Sequence, residues 1–413
     1  VSVVKPFRAV RPKPDLVENV SCPPYDVVSY EEAKEFGKLP ESFMHVIRAE
    51  IDLPPDVPHY GEPVYEKARE NLEKMIKSGI LVIEDKPAYY IYWQKMADHT
   101  QTGIVGCASV DEYQSGAIKK HELTRQDKED DRAKHVHTVG ANTGPVFLTF
   151  KADRDFNELL EELKNRLFPL YDFTDENGVQ HKVFPVYEQK DIEKIKKAFE
   201  KIPALYIADG HHRAASASRV REIMKSQNSN HTGEEEYNYF LSVIFPHSQL
   251  QVLDYNRVVK DLNGLSEEEF IKKLEEAFEI ERASVAPYKP AKKHEFGMYL
   301  SGKWYVLHAK ENSFDAADPV ARLDVSILQK NLLEPILGIE NPRKDPRIDF
   351  IGGIRGLKTL EERVDRGWAV AFALYPTSLE DLMEVADMGM VMPPKSTWFE
   401  PKLRSGLFVH LLK

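Results

Sequence analysis

Cysteine is scarce. Cys22 and Cys107 are the only two in 413 residues, too few for a disulfide framework or a thiolate metal centre. Positive charge is short as well: 56 Lys and Arg face 67 Asp and Glu, a net charge of −11. A chain with no basic excess lacks the footprint of a general nucleic-acid binder. No apolar run approaches the roughly 20 residues that span a bilayer. The first residues, Val1-Ser2-Val3-Val4-Lys5-Pro6, lack the layout of a secretory leader. No nucleic acid, no membrane and a reducing cytoplasm are therefore expected. The Walker spacing G-x-x-x-x-G-K-S/T is missing, which removes support for a P-loop NTPase, and so is the second histidine of H-E-x-x-H.

What is present is an ordinary globular composition, 42% hydrophobic and 30% charged, long enough for two or three domains. The chemistry concentrates in Tyr206-Ile207-Ala208-Asp209-Gly210-His211-His212-Arg213. The apolar run from Ala204 to Ala208 reads as a buried strand. Asp209-Gly210 reads as a tight turn, and a helix is predicted from Arg213. The unpaired N–H groups of a helix start and its dipole favour anions. Arg213 adds a planar donor fork, and Gly210 permits close backbone approach. Asp209, Gly210, His211, His212 and Arg213 are thus candidates for holding phosphate. The competing reading is a common Asp-Gly turn with capping histidines.

Other segments stand out less. Cys22-Pro23-Pro24-Tyr25-Asp26 reads as a stiff loop in which Asp26 is either a turn former or a substrate contact. In Lys119-Lys120-His121-Glu122-Leu123-Thr124-Arg125, His121 and Glu122 are the second chemical candidate, with Arg125 as a possible substrate contact. Glu122 could equally pair with Lys120 or Arg125 on the surface. The charged run from Gln126 to Lys134 reads as a solvated helix face or loop. The polar turn Gly140 to Pro145 offers Asn142 as a further substrate contact. Near the end, Met392-Pro393-Pro394-Lys395-Ser396-Thr397 places a lysine beside two hydroxyls, so Lys395, Ser396 and Thr397 are candidate anion contacts.

Periodicity predicts an amphipathic helix from Pro63 to Gly79, paired strands Tyr89 to Gln94 and Thr102 to Val110, and a strand Val146 to Phe150. It also predicts a helix Asp191 to Lys201, a loop Ser226 to Glu236 and a strand Tyr237 to Phe245. Capped helices begin at Ser266 and Ser378, and a hairpin turns at Ser301-Gly302. Helix, strand, turn, helix is a mixed α/β rhythm.

Lys5-Pro6-Phe7-Arg8-Ala9, Cys22 to Asp26, His121-Glu122-Leu123-Thr124, Asp209 to Arg213 and Pro393 to Lys402 together resemble an uncharacterised bacterial and archaeal family of the ParB/sulfiredoxin-like superfamily. The order of motifs also resembles the archaeal ADP-dependent free serine kinases. The resemblance implies a ParB/sulfiredoxin-like nucleotide-binding core at 111–245, an added N-terminal region at 1–110, and a C-terminal α/β region at 246–413 that returns Lys395-Ser396-Thr397 to the site. It implies a phosphotransferase with Glu122, beside His121, as the base that activates a serine hydroxyl. The turn from Asp209 to Arg213 would hold the phosphates of ATP or ADP and their Mg2+, through Asp209. Lys395 and Thr397 would contact the transferred phosphoryl group or the amino acid. The chain departs from the kinase pattern in its greater length, in Lys120 where the kinases have proline, and in Ser396 where they have threonine. A metal-dependent phosphatase or other hydrolase, drawing on His121, His135, His137, His211 and His212, stays open. So do a ParB-like nucleotide switch acting on a protein partner and a degenerate scaffold.

Overall fold

The computed structural model describes residues 2–413, and the counts below refer to them. The fold is mixed α/β with several sheets. The chain forms two compact units, Val1–Leu250 with Pro401–Lys413, and Gln251–Glu400.

The first unit is built on a nine-stranded sheet. Along it run Ile118–Lys119, Leu205–Asp209, Val146–Phe150, Tyr239–Pro246, His99–Ser109, Tyr89–Met96, Gln180–Val186 and Tyr171–Thr174, with Val4–Lys5 also on His99–Ser109. The expected pair of strands is the antiparallel hairpin Tyr89–Met96 and His99–Ser109. That hairpin lies in the middle of the sheet, so residues on both sides of position 110 share one sheet and one core. Helices Arg154–Arg166 and Gln189–Glu200 bury Phe156, Leu160, Leu163, Ile192, Ile195 and Phe199 against the sheet residues Ile104, Leu148 and Ile207. The predicted helix after Pro63 runs Glu62–Lys77 and buries Val64, Ala68, Leu72 and Met75 in a second cluster. A four-stranded sheet joins Leu81–Ile83, Ala9–Pro12, Val409–Leu411 and Ala141–Asn142.

The charged run is a helix, Gln126–Val139, but it is not simply a solvated face. Asp131, Ala133, His135 and Val136 are buried. Asp131 accepts from the Tyr65 hydroxyl at 2.8 Å and pairs with Arg132 at 2.6 Å. Tyr65 from another helix and the neighbouring Arg132 satisfy this face, which hydropathy alone does not register.

The second unit carries a six-stranded antiparallel sheet in the order Phe278–Arg282, Lys303–Ala309, Glu295–Leu300, Val370–Leu374, Tyr255–Val259, Ile348–Gly352. Ser266 and Ser378 form complete capping boxes with Glu269 and Asp381, and the hairpin turns at Ser301-Gly302 as expected. Residues 401–413, expected in the C-terminal region, belong to the first unit: Ser405 bridges to Cys22, and Val409–Leu411 pairs with Ala9–Pro12 and Ala141–Asn142.

Candidate functional site

Ile118–Lys119 and Leu205–Asp209 pair in parallel, Leu205 opposite Ile118 and Tyr206 opposite Lys119. Parallel neighbours leave a sheet at the same end, so the segment after Lys119 and the turn after Ala208 emerge side by side. This is how His121-Glu122 meets Asp209-Gly210-His211 across a long stretch of chain. Ends of parallel strands beside a helix start are the usual ligand positions of α/β sheets.

The helix starts two residues earlier than predicted, at His211, and runs to Gln227. Gly210 is its N-cap, in the left-handed region at φ +93°. A Cβ there would sit 2.9 Å from Arg213 Nε. Glycine therefore both closes the turn and lets the guanidinium lie over it. No side chain caps the helix, so its first-turn N–H groups are not taken by a cap.

Arg213 donates through Nη1 to the Pro145 carbonyl at 2.7 Å. Its Nη2 stands 3.8 Å from Asp209 and 4.0 Å from Asp26, and its Nε is buried with no partner. Burial works against the Arg213 charge, but Asp26 and Asp209 outweigh it and keep its pKa above the usual value. Lys402 Nζ lies 3.5 Å from Asp209. Burial pushes the Asp209 carboxyl up, yet Lys402, Arg213, His211 and the Gly210 N–H together hold it well below the usual carboxylate range.

On the other side, His211 Nδ1 is 3.9 Å from Glu122 Oε2. The His121 N–H points at His211 Nε2 at 3.5 Å, and the two rings meet edge to face with centroids 4.5 Å apart. Burial lowers the His121 pKa to about 4, against hydrogen bonding to the Ile207 backbone and the nearby Asp209. Burial, with His121 beside it, also drives His211 well below its ordinary value. Both rings are neutral at pH 7. His212 is lowered too, by burial, although Asp26 and Glu129 oppose the shift.

His121, Glu122 and His211 offer metal-ligand atoms all within 4.8 Å of one another. Magnesium takes oxygen ligands, and Asp209 and Asp26, two carboxylates facing the same nitrogen of Arg213, fit it better than this nitrogen-rich set.

Among the remaining candidates, Arg125 contributes its backbone: its N–H donates to His212 Nε2 at 3.1 Å, while its guanidinium pairs with Asp127. Asn142 is buried, and its Oδ1 accepts from the Leu241 N–H at 3.3 Å and meets His410 Nδ1 at 2.9 Å, tying strands together. It also lines a cavity of about 30 Å³ with Tyr25, Arg132, His135, Gly144 and Arg213. Lys395, Ser396 and Thr397 lie in the second unit. There the Lys395 carbonyl accepts from Arg257 Nη2 at 3.0 Å, and the Ser396 hydroxyl donates to the Pro393 carbonyl at 2.5 Å. Lys402 is the residue that the sequence reading left without a role, though it ends the run that begins at Pro393. A single lysine in a charged chain carries no periodic signal.

No curated protein matches the chain. Among solved structures, a free serine kinase in complex with AMP is 17% identical, with 74% of this chain and 92% of that chain covered and a TM-score of 0.37. A conserved hypothetical protein from Pyrococcus furiosus is 16% identical, covering 75% and 95%, TM-score 0.36. SbnI with a C-terminal truncation, from Staphylococcus aureus, is 12% identical, covering 74% and 87%, TM-score 0.37. TM-scores this low do not establish a common fold. Residues 4–326 match the family described as Protein of unknown function (DUF1015), and the chain belongs to that family.

Proposed function

We propose that the chain is a nucleotide-dependent small-molecule kinase that transfers a phosphoryl group to a hydroxyl, with free L-serine the first candidate acceptor and O-phosphoserine the product. One observation carries the reading: the buried Arg213, with its Nε donor unspent, lies at an uncapped helix start and shares Asp209 as a partner with Lys402. Phosphoryl transfer asks mainly for positioning and charge neutralisation. Arg213, Lys402 and the first-turn N–H groups supply these to the phosphates of ATP or ADP. Magnesium bound with the nucleotide would be held by Asp209 and Asp26 and would neutralise part of the phosphate charge. Glu122 takes the proton of the acceptor hydroxyl, whose oxygen then attacks phosphorus as the bond to the leaving nucleotide oxygen breaks. Neutral His211, 3.9 Å away, orients Glu122 without competing for the proton. The choice of serine rests on the resemblance of the His121-Glu122, Asp209–Arg213 and Lys395-Ser396-Thr397 motifs to the archaeal kinases. In this reading residues 111–245 carry the ParB/sulfiredoxin-like nucleotide site, and the enzyme is cytoplasmic. No helix among the described residues is long and apolar enough to cross a membrane.

A metal-dependent hydrolase is the second reading, favoured by the His121, Glu122 and His211 set. Glu122→Gln separates the readings. A kinase loses turnover by about 10²–10⁴-fold and binds nucleotide with affinity changed less than about twofold. A nucleotide switch without chemistry is indifferent to the substitution. A hydrolase releases inorganic phosphate from phosphorylated metabolites without any acceptor.

A further inference from the structure

The two imidazoles and the carboxylate beside the phosphate turn have a chemistry of their own. His121 is held on the Ile207 backbone through one ring nitrogen, while its Nδ1 is buried and has no partner. A bond to a backbone carbonyl requires the proton on that nitrogen, which leaves Nδ1 as a lone pair. A buried lone pair with no donor is costly. The arrangement is also the one seen when a histidine binds a metal: the far N–H fixed by a carbonyl, the near nitrogen free. One ligand atom from each of His121, Glu122 and His211 lies within 4.8 Å of the other two.

We propose that His121, Glu122 and His211 form a site for a divalent transition-metal ion of the zinc class, and that the ion competes with the proton-accepting role of Glu122. Two nitrogens and one carboxylate oxygen suit zinc or its neighbours and leave a fourth position open. Coordination through His211 Nδ1 moves that ring's proton to Nε2. It gives up the 3.5 Å contact from the His121 N–H, which is at the long limit of a hydrogen bond. The inhibitory part rests on the kinase reading; the binding part does not.

The test is titration of the chelator-treated full chain with Zn2+, and with Co2+ as a spectroscopic probe. One ion per chain is expected, with cobalt ligand-field bands of a four-coordinate site. Glu122 is half-exposed, so Glu122→Gln keeps the fold; it should weaken Zn2+ at least about tenfold and alter the cobalt spectrum. His211→Ala should abolish both. Equal Zn2+ affinity in the wild type and Glu122→Gln overturns the proposal, since that ion sits on other histidines. Tight Zn2+ binding in a protein with no phosphoryl transfer leaves the site standing and removes only the kinase reading. Phosphoryl transfer unaffected by Zn2+ bound at this site removes the inhibition.

Discussion

Asp209 faces Lys402 and Arg213 at once, and Arg213 faces Asp26 as well. Two cations held against two carboxylates keep this cluster arranged, and on the proposed reading an incoming phosphate would exchange with a carboxylate. Gly210 is the hinge of this arrangement. Gly210→Ala should cost about 1–2 kcal/mol through the left-handed φ and displace the guanidinium, so nucleotide affinity should fall together with the melting temperature. An unchanged affinity would show that Arg213 does not depend on the turn. His135 is one of several buried histidines, with His121 and His211, that make this unit acid-sensitive. Burial, with Arg132 adjacent, takes its pKa to about 4, against its bond to Val46 and the charge of Asp131. A depressed histidine stabilises the fold fully above its unfolded value near 6.5, and that stability is lost as pH falls toward 4. The urea midpoint should drop across this window, and less steeply in His135→Gln.

Residue types at the site were legible in the sequence because glycine, histidine and arginine clustered directly after an apolar run. Their meeting was not legible. It depends on the parallel pairing of the two-residue strand Ile118–Lys119 with Leu205–Asp209, and a strand that short has no alternation to read. The helix Gln126–Val139 shows the same limit on a larger element. Asp131, buried between Tyr65 and Arg132, replaces the apolar stripe that periodicity looks for. Asp131→Ala strands Arg132 in a buried setting and should destabilise the protein by about 3 kcal/mol, measured as a shift in the urea midpoint. A change below about 0.5 kcal/mol would return this face to the solvated role expected from its charge. Elements with strong periods or caps, such as Glu62–Lys77 and the capping boxes at Ser266 and Ser378, lie where the pattern placed them.

At the scale of the whole molecule, the chain divides at Leu250, and its last residues leave the second unit. Residues 401–413 return to the first unit through Ser405, paired with Cys22, and through Val409–Leu411. That return brings Lys402 to within 3.5 Å of Asp209, adding a second cation beside Arg213's partner. Single strands added from a distant part of the chain have too little sequence of their own to announce their partner. The proposed reaction is phosphoryl transfer to a small hydroxyl with Glu122 as base. It is tested most directly by phosphorus NMR of the purified chain with L-serine, Mg2+ and either ATP or ADP. A phosphoserine resonance is expected with one of the two donors, absent in Glu122→Gln. Nucleotide bound or hydrolysed with no phosphoserine formed would contradict serine as the acceptor, and a phosphoserine signal undiminished in Glu122→Gln would contradict the role of Glu122.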